Sequence, residues 1–346
     1  MGSMFDGCEI YDIRHDTKST GLQQEVIQGL SADPLSLPSL LLWDDRGQEL
    51  FDSFSQTPSY YPFHSELEII NKRSADIARS VPDKSALIEL GCGTVRKTRP
   101  ILAALNQQQK HIHYYALDVS LQGLTDSIDS LVNAMNGSAF IQITGLLGTY
   151  DDCIAWLASA GSTRGLYSAT FLWMGNSIAN FEHVSQPSAI LSRFRGACSQ
   201  SRLGCQFLVS TDACQSESKI AKSYSPELCE LREFIMNGLR HANSALGCDL
   251  FTYDDWTFGT TVAPDGYGGK SLAVYYAPRR DISVPVNGGL DISFRKGQMI
   301  KVISSGKWTR ALVEQLGSHA GLQVQHRWMD PSRIYCIYSL APGVSD

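Results

Sequence analysis

Ala-Leu-Ile-Glu-Leu-Gly-Cys-Gly-Thr-Val-Arg-Lys-Thr, residues 86–98, is the stretch that decides the fold. It begins as an apolar strand, turns at Gly91 and Gly93, and continues into a sequence typical of a helix. A second apolar strand, residues 113–117, ends at Asp118. In an open parallel α/β sheet, ligands bind at the carboxyl ends of the strands, where glycines allow close approach and an acid accepts ribose hydroxyls. The two segments together predict a nucleoside-binding sheet.

The residue at the third glycine position of the dinucleotide-binding motif indicates which nucleoside is bound. A dinucleotide fingerprint needs glycine where Arg96 stands, because the pyrophosphate lies against the start of the helix. S-adenosylmethionine (SAM) carries a nucleoside and a sulfonium but no phosphate, and it suits a loop with an acid at its start (Glu89), two glycines and no phosphate cradle. We therefore expect SAM rather than a nicotinamide dinucleotide. The alternative, that Gly91 and Gly93 only end a strand, is weakened by the position of Asp118.

The composition is typical of a soluble enzyme that acts on a small molecule. The chain has 346 residues, of which 43% are hydrophobic and 18% charged, enough for a large core and more than one domain. A net charge of -6 argues against a nucleic-acid partner. No apolar run has transmembrane length, and the start of the chain lacks the features of a signal peptide. Cysteines and histidines lack metal-binding spacing. We expect a cytoplasmic protein with neither a metal nor a membrane partner.

The order of apolar segments predicts a doubly wound parallel sheet followed by a change of architecture. Expected sheet strands are residues 86–90, 113–117, 139–143, 169–173 and 206–210, with a closing antiparallel hairpin around 324 and 334–340. After Asp212 a helix at 227–245 and strands at 272–277 and 290–294 indicate a smaller α+β domain. We expect residues 1–64 and 211–303 to form a substrate-binding domain, and 65–210 and 304–346 to form the SAM-binding domain.

Seven segments, in order along the chain, carry a resemblance to a known family. They are Trp-Asp-Asp-Arg-Gly-Gln-Glu-Leu-Phe-Asp (43–52), Tyr-Tyr-Pro (60–62), Glu-Leu-Gly-Cys-Gly-Thr (89–94), Lys-Thr-Arg (97–99), Leu-Asp-Val-Ser (117–120), Gly-Asn-Ser-Ile-Ala-Asn-Phe (175–181) and Ser-Ser-Gly-Lys-Trp (304–308). The series resembles the histidine-specific methyltransferases of ergothioneine biosynthesis. Fungal relatives of that family methylate the amino nitrogen of tryptophan or 4-dimethylallyltryptophan. The resemblance implies a Rossmann-like class I methyltransferase sheet.

The resemblance also implies roles for particular residues. Positions that match cofactor-binding residues are Tyr60, Gly91, Gly93, Lys97, Asp118 and Gly175. Asn180 matches an asparagine that holds the substrate's amino and carboxylate groups, and Tyr224 matches a tyrosine that binds the carboxylate. These two residues are the expected catalytic pair. Tyr224 also precedes Ser-Pro at a helix start, so packing is its alternative role.

Departures from the family pattern bear on the substrate. Histidine methyltransferases carry a glutamate two residues before a serine to bind the imidazole; here Ile303 and Ser305 stand at those positions. A buried imidazole N–H without a partner costs roughly 1 to 3 kcal/mol. Val274 replaces a methionine, and Trp43 replaces a tyrosine that positions the amino acid. An apolar, enlarged pocket favours an indole. An acid that follows the third strand in the family is absent, with Gly145-Leu-Leu in its place.

The sequence therefore predicts a SAM-dependent α-N-methyltransferase of a free aromatic amino acid, releasing S-adenosylhomocysteine. Tryptophan or 4-dimethylallyltryptophan is expected ahead of tyrosine. Two alternatives stay open at this point: a histidine Nα-methyltransferase that anchors the imidazole with another acid, and a SAM-binding regulatory protein with a degenerate site. The number of methyl groups and the oligomeric state are also open.

Overall fold

A computed structural model describes residues 3–5, 8–15, 20–135, 137–159, 165–181, 183–286 and 290–343. The strands in these ranges are β1 (Ser3–Phe5), β2 (Cys8–Asp12), β3 (Ser85–Leu90), β4 (Ile112–Asp118), β5 (Ile141–Leu147), β6 (Ser168–Trp173), β7 (Gly204–Asp212), β8 (Trp256–Pro264), β9 (Lys270–Pro278), β10 (Ile282–Val286), β11 (Leu290–Phe294), β12 (Ile300–Lys307), β13 (Gln323–Met329) and β14 (Tyr335–Ala341). The α-helices are α1 (Thr20–Leu30), α2 (Asp45–Ser55), α3 (Tyr61–Ser80), α4 (Thr98–Gln107), α5 (Leu121–Ala134), α6 (Tyr150–Ala158), α7 (Ser185–Gln200), α8 (Glu217–Ser223), α9 (Cys229–Leu246) and α10 (Arg310–His319).

The main sheet has the order β1-β2-β5-β4-β3-β6-β7-β14-β13. Its centre is parallel, from β2 through β7, and β14 and β13 close it as an antiparallel hairpin. The chain winds outward from β3 in one direction to β5 and in the other to β7, so the carboxyl ends of β3, β4 and β6 meet at the switch point. Ligands bind at such a point in open α/β sheets. The predicted mixed α/β fold is confirmed.

Both faces of the main sheet are covered because successive side chains of a strand point to opposite sides. Ala86, Ile88 and Leu90 of β3 pack in one buried cluster with α6, α7 and α10. Leu87 packs in the cluster on the other side, with α3, α4 and α5. Parallel strands that are buried on both faces typically have a continuous run of apolar residues, and β3 has such a run at residues 86–88.

A second, smaller group of elements packs beside the main sheet; we call it the small lobe. It comprises the antiparallel sheet β12-β9-β8, the hairpin β10-β11 and helices α1, α2 and α9. Helix α9 lies across the small sheet and contacts α1 and α2. Buried residues of these elements form a cluster of their own.

Two features of the main sheet differ from the sequence-based expectation. The third strand was expected at 139–143 but runs from Ile141 to Leu147, because the Ser138 hydroxyl accepts the N–H groups of Phe140 and Ile141 and forms a turn there. Gly145 and the two leucines after it are therefore strand residues, and the residues that follow the strand are Gly148 and Thr149. Strands β1 and β2 were not expected; β2 adds to the sheet by pairing in parallel with β5.

Candidate active site

The turn after β3 crosses over the end of β4. Gly91 and Gly93 have φ of 76° and 51°, backbone values that favour glycine. The N–H groups of Gly91 and Cys92 both donate to the carbonyl of Leu117, at 3.0 and 3.1 Å. Close packing of backbone on backbone thus brings the glycine turn beside Asp118, as the sequence predicted.

Asp118 lies at the end of β4 with its carboxylate held by backbone groups. Oδ1 accepts from the N–H of Val119 at 2.8 Å and of Ser120 at 3.1 Å, and from the side-chain amide of Gln48 at 3.1 Å. Around Oδ2 the contacts are weaker, with the N–H of Gly93 at 3.4 Å and the thiol of Cys92 at 3.8 Å. Oδ2 therefore keeps capacity for a further hydrogen-bond donor.

Glu66 joins two of the predicted cofactor-binding positions. Its carboxylate accepts from Lys97 Nζ at 2.8 Å and from the backbone N–H of Gly175, also at 2.8 Å. Gly175 has φ of 73°, and a Cβ there would lie 3.1 Å from Lys97 Nζ. The Glu66 side chain is 1% exposed and the Lys97 side chain 25% exposed, so only the lysine reaches the surface of the site.

Glu89 is buried beneath the glycine turn. The Thr98 hydroxyl lies 2.6 Å from both of its oxygens, and the Tyr114 hydroxyl donates to it as well. Burial raises the pKa of Glu89 to about 7, against the lowering effect of these hydrogen bonds and of Lys97. Its observed partners are thus residues of α4 and β4.

The two predicted site tyrosines, Tyr60 just before α3 and Tyr224 just after α8, are in contact. The rings of Tyr60 and Tyr224 lie 5.4 Å apart in an edge-to-face arrangement, and their hydroxyls are 3.4 Å apart. Burial raises the pKa of both phenols above the ordinary value. Both hydroxyls therefore stay protonated at neutral pH and serve as hydrogen-bond donors.

A buried polar cluster lies directly behind Tyr224. Lys307 and Asp212 form an ion pair with Nζ 2.9 Å from Oδ2, and both side chains are 0% exposed. Lys307 Nζ also donates to the hydroxyls of Ser305 at 3.0 Å and Tyr224 at 3.2 Å. The Tyr61 hydroxyl donates to the same Asp212 oxygen at 2.6 Å. We refer to Asp212, Lys307, Ser305, Tyr224, Tyr61 and Asn176 as the polar cluster.

Next to Ser305, the small sheet carries a row of largely apolar side chains. Ile303 pairs with Val274, and Val274 pairs with Thr260, so the three side chains lie in a row on one face of the sheet. The Thr260 hydroxyl donates to the backbone carbonyl of Tyr224 at 3.3 Å, which places this face toward the tyrosine. The predicted substrate residues Val274, Ile303, Ser305 and Tyr224 are therefore brought together.

Trp43 lies in an aromatic group on the helical side of the small lobe. Its ring is 5.0 Å from Phe51 and 5.3 Å from Phe234, and Phe51 is 6.2 Å from Tyr60. The indole is half-buried rather than enclosed. An aromatic surface thus runs from Trp43 through Phe51 to the site tyrosines.

Asn180 and Asn176 lie in the same loop after β6 but differ in their contacts. Asn180 follows the short 3₁₀ helix Ser177–Ala179, is half-buried, and its side-chain amide makes no hydrogen bond with the described part of the chain. The Asn176 side chain is buried and accepts from the backbone N–H of Asp212 at 2.8 Å. The sequence motif predicted Asn180 as functional and overlooked Asn176.

Sequence reasoning missed Gln48, Glu66, Asn176, Asp212 and Lys307, although the sequence held a signal for each. Asn176, Lys307 and Gln48 stand inside the motifs quoted above. Asp212 ends a strand, as Asp118 does. Glu66 shares the buried face of α3 with Ile69 and Ile70, and a carboxylate on an apolar helix face needs a buried partner.

The largely parallel main sheet has the mixed α/β architecture that the sequence predicted for a SAM-dependent methyltransferase. The chain belongs to the histidine-specific, SAM-dependent methyltransferase family, whose sequence pattern matches residues 22–342. N-methyltransferase benX of Aspergillus terreus is 43% identical over 340 residues, which cover 97% of this chain and 93% of the relative. The chain is a SAM-dependent N-methyltransferase.

Two further relatives carry names that specify a pathway or a substrate. Ergothioneine biosynthesis protein 1 of Neurospora crassa is 31% identical over 322 residues, covering 92% of this chain and 35% of that longer protein. 4-Dimethylallyltryptophan N-methyltransferase easF of Epichloe festucae var. lolii is 28% identical over 348 residues, covering 96% of this chain and 98% of the relative. The two identities are nearly equal.

No helix among the described residues is both long and apolar enough to cross a membrane.

Proposed function

We propose that this enzyme transfers a methyl group from SAM to the α-amino nitrogen of a free aromatic amino acid, with tryptophan or 4-dimethylallyltryptophan ahead of tyrosine. The row of Ile303, Val274 and Thr260 beside Tyr224 carries this proposal. An apolar wall next to polar groups that suit an amino acid's backbone is what an indole side chain needs.

Cofactor binding is assigned to the switch point of the main sheet. Gly91 and Gly93 have no side chains to hinder a ligand at these two positions of the turn, and Asp118 Oδ2 retains capacity for a ribose hydroxyl. Lys97, whose ammonium group pairs with Glu66, is a further proposed cofactor-binding residue. Tyr60 and Gly175 complete the proposed set, and the backbone N–H of Gly175 donates to the same glutamate. When bound, SAM supplies an electrophilic methyl group on its sulfonium.

The residues of this chain act by positioning the amine. A neutral amine has the lone pair that displacement requires and an ammonium does not, so a proton must leave to water or to a neutral acceptor before transfer. Asn180 is the proposed orienter, because its half-buried amide is free of protein partners among the described residues. Holding the nitrogen in line with the methyl group accounts for most of the catalysis in such a site. Tyr224 is assigned to the substrate carboxylate.

The Asp212 carboxylate, which pairs with Lys307, does not suit an imidazole. The Asp212 side chain is 0% exposed, Oδ2 accepts from Tyr61 and Lys307, and Oδ1 accepts from the N–H of Cys214 at 2.9 Å. An imidazole N–H directed at Ile303 would lack an acceptor and lose roughly 1 to 3 kcal/mol. An imidazole has two polar ring nitrogens to satisfy, whereas an indole has one N–H on a larger apolar ring, so the apolar wall favours an indole over histidine.

The substrate is tested by mass spectrometry of products formed with SAM from histidine, tryptophan, 4-dimethylallyltryptophan, tyrosine and phenylalanine. We expect methylated tryptophan or its prenylated form, and the mass increment gives the number of methyl groups. In Ile303→Glu, kcat/KM for histidine should rise about tenfold or more, because a charged acceptor strengthens the hydrogen bond. Ile303→Gln is the matched control and should give a smaller gain.

Two results would contradict the proposal. Wild-type enzyme that prefers histidine, with no gain in Ile303→Glu, would support the histidine enzyme suggested by the family's description and by the ergothioneine relative. Calorimetric SAM binding without any methylated product across the panel would instead support a regulatory protein with a degenerate site.

A further inference from the structure

Lys307 uses all three of its N–H donors inside the protein. Its acceptors are Asp212 Oδ2 at 2.9 Å and the hydroxyls of Ser305 at 3.0 Å and Tyr224 at 3.2 Å. An ammonium group has three donors and no acceptor, so none is left for a ligand. The lysine side chain is 0% exposed. Lys307 therefore affects a ligand only through the groups to which it donates.

The side-chain amide of Asn176 has a single possible orientation. Its Oδ1 accepts from the backbone N–H of Asp212 at 2.8 Å, and its Nδ2 donates to the backbone carbonyl of Gly306 at 3.2 Å. Rotating the amide by half a turn would oppose donor to donor and acceptor to acceptor. Nδ2 consequently also donates to Ser305 Oγ, at 3.1 Å.

Ser305 thus receives hydrogen bonds from two groups that can only donate. A hydroxyl has two lone pairs and one hydrogen, so with Lys307 and Asn176 as donors Ser305 can act only as a donor itself. Ser305 is half-buried, two residues along β12 from Ile303 and on the same face as the substrate row. Its hydrogen is directed away from Lys307 and Asn176.

Tyr224 is constrained in the same way. Its oxygen accepts from Lys307, so its hydrogen points away from the lysine. Its other hydroxyl neighbours are Tyr60 at 3.4 Å, the outer limit for a hydrogen bond, and Ser305, for whose hydrogen a carboxylate is a stronger acceptor than a phenol. Two hydroxyl donors at the end of the apolar row match a ligand group that only accepts hydrogen bonds, and a carboxylate is such a group.

We propose that Lys307 is a positioning residue that fixes the hydroxyls of Ser305 and Tyr224 as hydrogen-bond donors, making this end of the pocket selective for the α-carboxylate of an amino acid. The inference rests on the proposed function. It adds that selectivity for a free carboxylate comes from a buried ion pair that never contacts the substrate. The pair is neutral overall, so it orients the donors without adding net charge.

The test compares tryptophan with tryptophanamide, which keeps the ring and the amine but replaces the carboxylate with a neutral amide. Dissociation constants are measured by calorimetry in the presence of S-adenosylhomocysteine. The variants are D212N/K307M, which removes both charges together and so leaves no buried unpaired ion, and S305A, which removes one donor and keeps the ion pair. K270M is the matched control, because Lys270 is the cross-strand partner of Lys307 but pairs with Glu217 at the surface.

We expect the Kd for tryptophan to rise about 10- to 100-fold in D212N/K307M and about tenfold in S305A, with the Kd for tryptophanamide changed by no more than about threefold. K270M should leave both constants unchanged. A merely structural role for Lys307 would weaken both ligands equally, and that result overturns the proposal. If the double variant does not fold, the Kd values of S305A for tryptophan and tryptophanamide are sufficient to test the proposal.

The two proposals fail in different ways. Wild-type protein that binds tryptophan, but whose preference over tryptophanamide is the same in D212N/K307M and S305A, overturns the positioning role alone. Wild-type protein that binds none of the aromatic amino acids overturns the proposed function and this inference with it.

Discussion

At the scale of single residues, Glu89 determines how stability depends on pH. Its pKa is raised by burial to about 7 in the folded protein, against an ordinary value of 4.5. Below pH 4.5 the group is protonated in both the folded and unfolded states, and its contribution to folding is then fully present. As pH rises toward 7 the unfolded chain ionises first, so this contribution is lost.

Glu89→Gln should remove that pH dependence. A difference of this size between folded and unfolded pKa corresponds to roughly 3 kcal/mol. We expect the free energy of unfolding of the wild type, relative to Glu89→Gln, to fall by about that amount between pH 4.5 and pH 8, measured by urea denaturation. Glu68→Gln, at a half-exposed ion pair on α3, is the control. A constant difference across this range would show that Glu89 ionises normally.

At the scale of elements, Gly238 sets how closely α9 approaches its neighbours. A Cβ at this position would lie 2.5 Å from the Tyr276 hydroxyl of β9 and 2.8 Å from Leu42 Cδ2. The tyrosine has little freedom to move, because it is buried and donates to the carbonyl of Ile235. The sequence shows only a glycine within a helix, which by itself indicates a loss of helix stability.

Gly238→Ala should destabilise the protein although alanine is the better helix former. Overpacking costs about 1 to 3 kcal/mol, which exceeds the gain in helix propensity of about 1 kcal/mol. Gly196→Ala in α7 is the matched control, because a Cβ there meets nothing within 4 Å, and it should stabilise by about 0.5 to 1 kcal/mol. Urea denaturation measures both. If both variants gain stability, α9 does not pack as closely as described.

At the scale of the whole molecule, Asp118 is where the main sheet meets the small lobe. Its carboxylate ends β4 and accepts from Gln48 of α2, while the Ser120 hydroxyl two residues later donates to Asp45 of the same helix. A ligand that binds at Asp118 therefore binds where α2 of the small lobe is hydrogen-bonded to the main sheet. Its binding free energy should stabilise the folded chain as a whole.

SAM at about 100 times its Kd should raise the free energy of unfolding by about 2.7 kcal/mol. In Asp118→Ala most of that increase should be lost, because the ribose hydroxyls lose their acceptor. Asp126→Ala is the control, since Asp126 is an exposed residue of α5. Denaturation curves with and without SAM make the comparison, and an undiminished shift in Asp118→Ala would refute the assigned cofactor site.

Much of the fold could be predicted from local patterns. Residues 86–98 carry a strand, a glycine turn and a helix in one segment, and the acid after the next strand follows at the spacing that the ligand requires. Helix boundaries were close, as with residues 227–245 against Cys229–Leu246. The small β1 and β2 strands were missed, because they are stabilised by pairing with β5 rather than by their own short sequences.

What the sequence alone determined is the family and the cofactor, because these depend on residue types in a fixed order along the chain. Only the tertiary structure decided which polar side chains form hydrogen bonds with the same partners. Lys307 meets Tyr224 across 83 positions of sequence, and Asn176 meets Ser305 across 129. Whether a hydroxyl donates or accepts depends on such long-range contacts, and no local pattern records them.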